Sequence, residues 1–306
     1  MSSERVLISM KRFIGDSIMA APLVDAMNER YPDLTILCSA PVAQILWSGE
    51  RHRSFLPLDT KRKPMDVLRA AMVLRKERFG IGILVNQSFR SAITLKLAGV
   101  SRLIGHAAEG RNWLLSKAVP YSETEFEAWS MLDLARPLGI DPPKVRPTLY
   151  VTDEERRKGL EVLAGATIGL QPGATFAAKM LPVEMLAEVG STLQKQGHRI
   201  ALFGAEAERE AGERLAAALA EPPVNLLGKT SIRESLGALT HLERMIGADT
   251  GLMHMAAAVG CPTVTVFGPT PAIKWGHQYG PHKVILAPDG DMSKVSADAV
   301  LSQVRA

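Results

Sequence analysis

The chain has 306 residues, more than one average domain and comfortable for two, and its 46% hydrophobic content can bury sizeable cores. Its two cysteines, Cys38 and Cys261, lie in apolar segments and read as buried free thiols, which excludes a disulfide scaffold and fits the cytosol. No apolar run reaches the ~18–20 residues of a membrane span. The net charge of +4 divides unevenly: residues 1–150 carry 21 Lys/Arg against 15 Asp/Glu, and residues 151–306 carry 15 against 17.

Met1-Ser2-Ser3-Glu4-Arg5 leads straight into an apolar strand at Arg5–Met10 and contains no signal-peptide core, which again predicts a cytoplasmic protein. Gly15-Asp16 follows and opens a helix expected from Asp16 to Arg30, with Pro22 placed to bend it. Asp16 is either an N-cap or a carboxylate set at the top of the sheet as a general base. Next come a strand at Leu34–Ser39, a short helix at Val42–Trp47 and a basic amphipathic helix at Met65–Arg78. The basic clusters Arg51-His52-Arg53, Lys61-Arg62-Lys63 and Arg69 through Arg78 are a solvated face, or else face an anionic glycan or membrane surface. Nucleic acid is disfavoured, because the aromatic residues are not interleaved with the basic ones. A strand at Ile81–Asn86, a helix at Phe89–Leu97, a strand at Arg102–His106 and a helix from Glu125 to Leu138, ended by Gly139, complete the first half. Strands alternating with helices predict a parallel sheet covered on both faces. The proline cluster Asp141–Pro147 reads as a linker, giving domains of 1–145 and 146–306.

The second half starts a new α/β series. A charged helix at Asp153–Ala164 precedes a strand at Thr167–Gln171 that ends in Gln171-Pro172-Gly173-Ala174-Thr175, with Lys179 four residues on. This loop is either plain surface or a cradle for a diphosphate, and it is not a P-loop. A helix at Pro182–Gln196 and a strand at Arg199–Phe203 lead into Gly204, with Glu208 placed to accept from ribose hydroxyls or simply solvated. A helix at Glu206–Leu219, a strand at Val224–Leu227 and a helix at Ser231–Leu239 follow. The densest signal is Asp249-Thr250-Gly251-Leu252-Met253-His254, between a strand ending at Ala248 and a helix at Leu252–Val259. A strand at Thr263–Phe267 then exits into Gly268-Pro269-Thr270. Asp-Thr-Gly can be N-cap chemistry alone, but two polar turns on one sheet edge beside a helix N-terminus favour an anion or nucleotide site. Asp289-Gly290-Asp291 mimics a metal-binding triplet, yet it is read as a loop that follows no strand, and no metal is expected. A last helix, Ser296–Val304, is capped by Ser296.

Together, Gly15-Asp16, Tyr31-Pro32-Asp33, Pro172-Gly173-Ala174 with Lys179 and Pro182, Phe203-Gly204, Asp249–His254 and Phe267-Gly268-Pro269-Thr270 resemble the glycosyltransferase family 9 heptosyltransferases over nearly the whole chain. Asn86-Gln87-Ser88-Phe89-Arg90-Ser91-Ala92 looks more like the second heptosyltransferase of lipopolysaccharide synthesis than the first. The resemblance implies a GT-B fold, two Rossmann-like domains facing across a cleft, with the last helix able to pack back on the first domain. It implies inverting, metal-independent transfer, without a cofactor, of a heptose from ADP-L-glycero-β-D-manno-heptose. The acceptor it implies is the anionic lipopolysaccharide inner core of the heptosyl-Kdo₂-lipid A type, and the location it implies is cytoplasmic or peripheral at the inner membrane. On matching positions, the resemblance makes Asp16 the expected base. Lys179 and the Asp249–Gly251 helix terminus offset charge on leaving ADP. Gly15, Thr175, Glu208, Thr230, Thr250 and His254 serve the donor, and Ser88 and Arg90 the acceptor. The chain departs from the family with Leu181 in place of the usual Trp, and with Lys11-Arg12-Phe13-Ile14 before Gly15. Competing readings are a family 9 transferase for another nucleotide sugar or glycan, a GT-B epimerase acting on donor alone, or a non-catalytic nucleotide-sugar-binding protein.

Overall fold

The computed structural model describes residues 4–49, 54–57, 64–108 and 110–305. The clusters Arg51-His52-Arg53 and Lys61-Arg62-Lys63 lie outside them. The chain divides into two units, residues 1–147 and 148–306, each with its own sheet.

In the first unit the elements are β1 (Val6–Ser9), α1 (Ile14–Met19), α2 (Ala21–Arg30), β2 (Thr35–Cys38), α3 (Ala40–Leu46), β3 (Ser54–Pro57), α4 (Pro64–Lys76), β4 (Ile81–Leu84), α5 (Phe89–Leu97), β5 (Arg102–His106), β6 (Lys117–Val119) and α6 (Glu127–Leu132). The sheet runs β3-β2-β1-β4-β5-β6 with every pairing parallel. β1, β2 and β4 are buried at every residue, as central parallel strands covered on both faces must be.

Two expected helices are broken. The Asp16–Arg30 helix is α1 and α2, because Pro22 has no N–H to continue the ladder and instead sits in the first turn of a new helix. The Glu125–Leu138 helix is α6 followed by a 3₁₀ turn over Asp133–Leu138, where Pro137 again removes a donor. Gly139 then ends it at φ 75°, in the left-handed region.

The second unit contains α7 (Asp153–Leu163), β7 (Ile168–Leu170), α8 (Val183–Lys195), β8 (Ile200–Leu202), α9 (Arg209–Ala218), β9 (Val224–Asn225), α10 (Ile232–Leu239), β10 (Arg244–Ala248), α11 (Gly251–Ala258), β11 (Thr263–Phe267), α12 (Ala272–Trp275), β12 (Lys283–Leu286) and α13 (Ala297–Arg305). Its parallel sheet runs β12-β11-β10-β7-β8-β9. Counted from its own first strand, this order is the same as that of the first sheet read from the other edge. Each unit is therefore a doubly wound Rossmann sheet, and in each the strand order reverses at one place: between β1 and β4, and between β7 and β10. Crevices at such reversals, outside the carboxyl ends of the strands, are where doubly wound sheets bind ligands.

The strands β3, β6 and β12 carry no counterpart in the sequence reading, and all three are sheet edges. The loop with Asp289-Gly290-Asp291 does follow a strand, β12, contrary to expectation. Lys283-Val284-Ile285-Leu286 pairs along one side only and is half exposed, which hid it. The last helix, α13, packs on α8, β11 and β12 of its own unit. Ser296 accepts from the Ala299 N–H at its start. Both cysteines are free and buried, and burial pushes each thiol up to about 12.

Candidate functional site

In the second unit the loops after β7 and β10 meet at the strand-order reversal. The Asp249 side chain is only 5% exposed, and both of its oxygens are occupied by protein donors. Lys179 Nζ donates to Oδ2 at 2.6 Å and to the Asp249 carbonyl at 3.2 Å, and Thr270 Oγ1 donates to Oδ2 at 2.7 Å. His254 Nε2 lies 3.3 Å from Oδ1. Burial alone would raise the Asp249 carboxyl, but the His254 and then the Lys179 contacts outweigh it and hold the group well below the usual carboxylate range.

Neither Asp249 nor Thr250 caps α11. Thr250 occupies the N-cap position with no side-chain cap, and its Oγ1 donates instead to Gln171 Oε1 at 2.7 Å. By contrast, α7 and α10 carry full capping boxes from Thr152 and Ser231. The first-turn N–H groups of α11 thus stand without a side-chain acceptor at the reversal point, as an anion site requires.

Behind His254 lies a part of the site that sequence reasoning missed. His254 Nδ1 is 2.8 Å from His277 Nε2, and His277 Nδ1 is 2.7 Å from the Tyr279 hydroxyl. His282 packs against both rings and reaches Thr263 Oγ1 at 3.1 Å. Burial first, and then the neighbouring His254 and His282, hold the His277 pKa well below 6.5. The signal was the spacing of His277, Tyr279 and His282 after the Gly268-Pro269-Thr270 turn; with no metal-ligand pattern, it pointed to no known chemistry.

Glu208 packs on the neighbouring loops rather than standing free. A Cβ on Gly173 would fall 2.7 Å from its Cγ and 2.8 Å from its Cβ, so the β7 loop needs glycine there, and one on Gly204 would press on its Oε2 at 2.5 Å. Its carboxylate accepts from the Ala205 N–H at 2.8 Å, and burial raises its pKa, partly held back by that bond. Thr175 is exposed on the β7 loop, and Thr230 shares a hydrogen bond with Ser235 at the start of α10. Leu181 is buried in the core of this unit. Among the described residues, no group of three or more His, Cys, Asp or Glu is arranged to hold a metal ion.

In the first unit, Gly15 and Asp16 lie in the first turn of α1, where Phe13 is the N-cap residue, so Asp16 is not the cap. Lys11 Nζ sits 3.1 Å from Asp16 Oδ1 and 2.8 Å from Glu127 Oε1. Glu127 is 1% exposed and also accepts from the Tyr121 hydroxyl at 2.8 Å. Burial pulls the Lys11 pKa down, but Glu127 and then Asp16 more than reverse it, so the ammonium is held charged. Beside this network, a cavity of about 280 Å³ opens at the other strand-order reversal, lined by Lys11, Arg12, Asn86, Ser88, Arg90 and Ser91 among others. Ser88 caps α5, its hydroxyl accepting from the Ser91 N–H. The fully buried Arg111 pins the loop, donating to the Asn86, Ser88 and His106 carbonyls.

The family model for glycosyltransferase family 9 (heptosyltransferase) matches residues 67–303. The chain belongs to glycosyltransferase family 9. It is therefore a glycosyltransferase, and its site sits on the fold that family 9 members share. The chain is 28% identical over 289 residues to the lipooligosaccharide heptosyltransferase 2 of Haemophilus influenzae, covering 87% of this chain and 83% of the relative. In fold it matches the E. coli ADP-heptose lps heptosyltransferase II (TM-score 0.84, 24% identity, 98% and 97% of the two chains). It also matches the E. coli heptosyltransferase WaaC with ADP-2-deoxy-2-fluoro heptose (TM-score 0.78, 22% identity, 98% and 99%).

Proposed function

We propose that this family 9 enzyme transfers a heptose from ADP-L-glycero-β-D-manno-heptose to the inner core of lipopolysaccharide, with a heptosyl-Kdo₂-lipid A type acceptor. The observation that carries the reading is the Lys179–Asp249 pair set beside the uncapped N-terminus of α11. A fixed cation next to free N–H groups suits a diphosphate whose negative charge grows as it leaves. The relatives' names supply the sugar and the acceptor class.

Asp249 serves mainly to hold Lys179, since its own oxygens are engaged by protein donors. Lys179 and the α11 N–H groups take the diphosphate, and Thr175, Glu208 and Thr230 seat the nucleoside. Ser88 and Arg90 meet the acceptor at the cavity of the first unit. The acceptor oxygen bonds to the anomeric carbon as that carbon's bond to the β-phosphate oxygen breaks. The electron pair leaves with ADP, the hydroxyl proton passes to Asp16, and the configuration inverts. Charge compensation by Lys179 and the helix terminus makes a metal unnecessary in this scheme. The enzyme works at the cytoplasmic face of the inner membrane, where the acceptor is anchored.

A donor panel assayed by product mass, with ADP release as the rate, tests the reading. ADP-heptose is expected to be the preferred donor. Asp16→Asn should lower turnover by about 10²–10⁴ while ADP-heptose binding stays within a few-fold of wild type. Turnover within a few-fold of wild type removes Asp16 as the base, and no ADP release with any acceptor favours a binding protein without catalysis.

A further inference from the structure

The helix α4 has two unlike faces. Ala70, Ala71 and Leu74 are buried inward, whereas Met65, Leu68, Met72 and Val73 are 58%, 48%, 61% and 47% exposed. At 3.6 residues per turn, Met65, Leu68 and Met72 share one outward stripe, and Arg69, Arg75 and Lys76 are exposed around it. The one acid on the helix, Asp66, is half-buried and lies 4.0 Å from Arg69. Among the described residues of α4, the exposed positions are therefore apolar or cationic, with Asp66 at the margin. Four large apolar side chains facing water, three of them in one stripe, mark a surface that something covers.

α4 packs beside α5, and each helix begins at the carboxyl edge of the sheet, having followed a strand of it. At that edge the exposed ring of Trp113 sits 6.2 Å from the exposed ring of Phe89, the first residue of α5, whose neighbours Ser88, Arg90 and Ser91 line the 280 Å³ cavity. The helix beside α4 thus carries an exposed aromatic residue and cavity-lining residues at its own start.

From this placement we infer that α4 is a membrane-docking helix that lies on an anionic phospholipid surface. Met65, Leu68, Met72 and Val73 enter the acyl boundary and Arg69, Arg75 and Lys76 pair with headgroup phosphates. An amphipathic helix with cations flanking its apolar stripe binds in this interfacial mode, by apolar burial and attraction to anionic lipid together. Exposed tryptophan suits the headgroup level beside it. A second copy of the chain is a poorer occupant, because two such faces would bring like charges together. The inference rests on the proposed lipid-anchored acceptor for its biological meaning: docking through α4 would present the cavity to substrate emerging from the bilayer.

The test is co-sedimentation of the full chain with vesicles of phosphatidylglycerol and phosphatidylcholine, against vesicles of phosphatidylcholine alone. Wild type should bind the anionic vesicles, and added salt should weaken the binding. The triple variant M65Q/L68Q/M72Q should lose at least tenfold in partitioning with an unchanged circular dichroism spectrum, since all three positions are exposed. R69Q/K76Q should lose the preference for anionic vesicles. Equal binding of the triple variant and wild type overturns the proposal, as does failure of wild type to bind either vesicle. A wild-type dimer that the triple variant dissociates also overturns it, and assigns the face to a second copy. The vesicle assay contains no sugar nucleotide, so failure of the heptose reading leaves its result standing. Transfer to a delipidated, water-soluble acceptor should be unchanged in the triple variant.

Discussion

His254 stands between Asp249 and His277, with Nε2 3.3 Å from the carboxylate and Nδ1 2.8 Å from His277 Nε2. A carboxylate only accepts, so His254 must donate from Nε2 to bond it. When Nδ1 then accepts, His277 donates from Nε2 and its own Nδ1 accepts from Tyr279. The second ring and the phenol thereby fix the tautomer of a residue that touches the Lys179 anchor. His277→Phe keeps the ring volume but strips both nitrogens and leaves the buried His254 Nδ1 without this donor. Turnover should drop by about tenfold, the effect of losing one hydrogen bond of roughly 1–1.5 kcal/mol. His277→Gln, which retains an N–H donor, should recover part of the loss. Imidazole ¹⁵N shifts of His254 report the tautomer directly, and an unaltered His254 spectrum in His277→Phe would remove His277 from this role.

The same burial makes a prediction about acid stability. His277 and His106 both have pKa values lowered first by burial, the latter accepting no more than partial relief from the Pro120 carbonyl. A base with a depressed folded pKa takes up its proton more readily when unfolded. Stability should therefore be complete above about pH 6.5, the ordinary histidine value, and fall below it by up to about 1.4 kcal/mol per pH unit per group. His277 faces His254, His282 and Asp249, and the carboxylate opposes part of the effect. Asp249, depressed in the folded state, adds a second loss that begins only below about pH 4. Urea unfolding from pH 8 to 5 should show the first limb in wild type and a shallower one in His277→Phe. Equal slopes would contradict it.

Lys179 and Asp249 should behave as one unit. Lys179→Met removes the cation offered to the diphosphate and should lower turnover by about 10²–10³, the range seen when one transition-state donor is lost. Asp249→Asn should be nearly as damaging, because the ammonium loses its anchor. The double variant should be no worse than Lys179→Met alone, since residues acting through each other are not additive. Calorimetric ADP titration and turnover of the four proteins close the cycle. Fully additive losses would mean that Asp249 acts on the donor independently of Lys179.

What the sequence carried was the interior of each sheet. β1, β4, β5, β7, β10 and β11 are fully or largely buried and concentrate apolar residues, so their turns, and with them Asp16, Lys179, Asp249 and His254, were placed on the right edge. The edge strands β3, β6 and β12 escaped because a strand paired on one side needs no such run. The partnerships escaped too. Nothing in the spacing of Lys11, Asp16 and Glu127 shows that one ammonium joins the other two, since Glu127 arrives from a helix more than a hundred residues away. His277 and Tyr279 come from the stretch between α12 and β12, which has no regular periodicity to place them.

That three-residue join in the first unit yields the last prediction. Glu127 is buried, and Lys11 supplies its cationic partner while also orienting Asp16. Lys11→Met removes the cation from a buried carboxylate that also accepts from Tyr121, and should cost about 3–5 kcal/mol, the usual penalty for breaking a buried ion pair from one side. Glu127→Gln in the same chain removes the stranded charge, so the double variant should be more stable than Lys11→Met alone. Turnover should not follow stability. Asp16 has lost its Lys11 contact in both variants, and both should stay slower than wild type even at temperatures where the double variant is fully folded. Thermal unfolding beside turnover at that temperature separates the two effects. A double variant as active as wild type would show that Lys11 serves the fold and not the base.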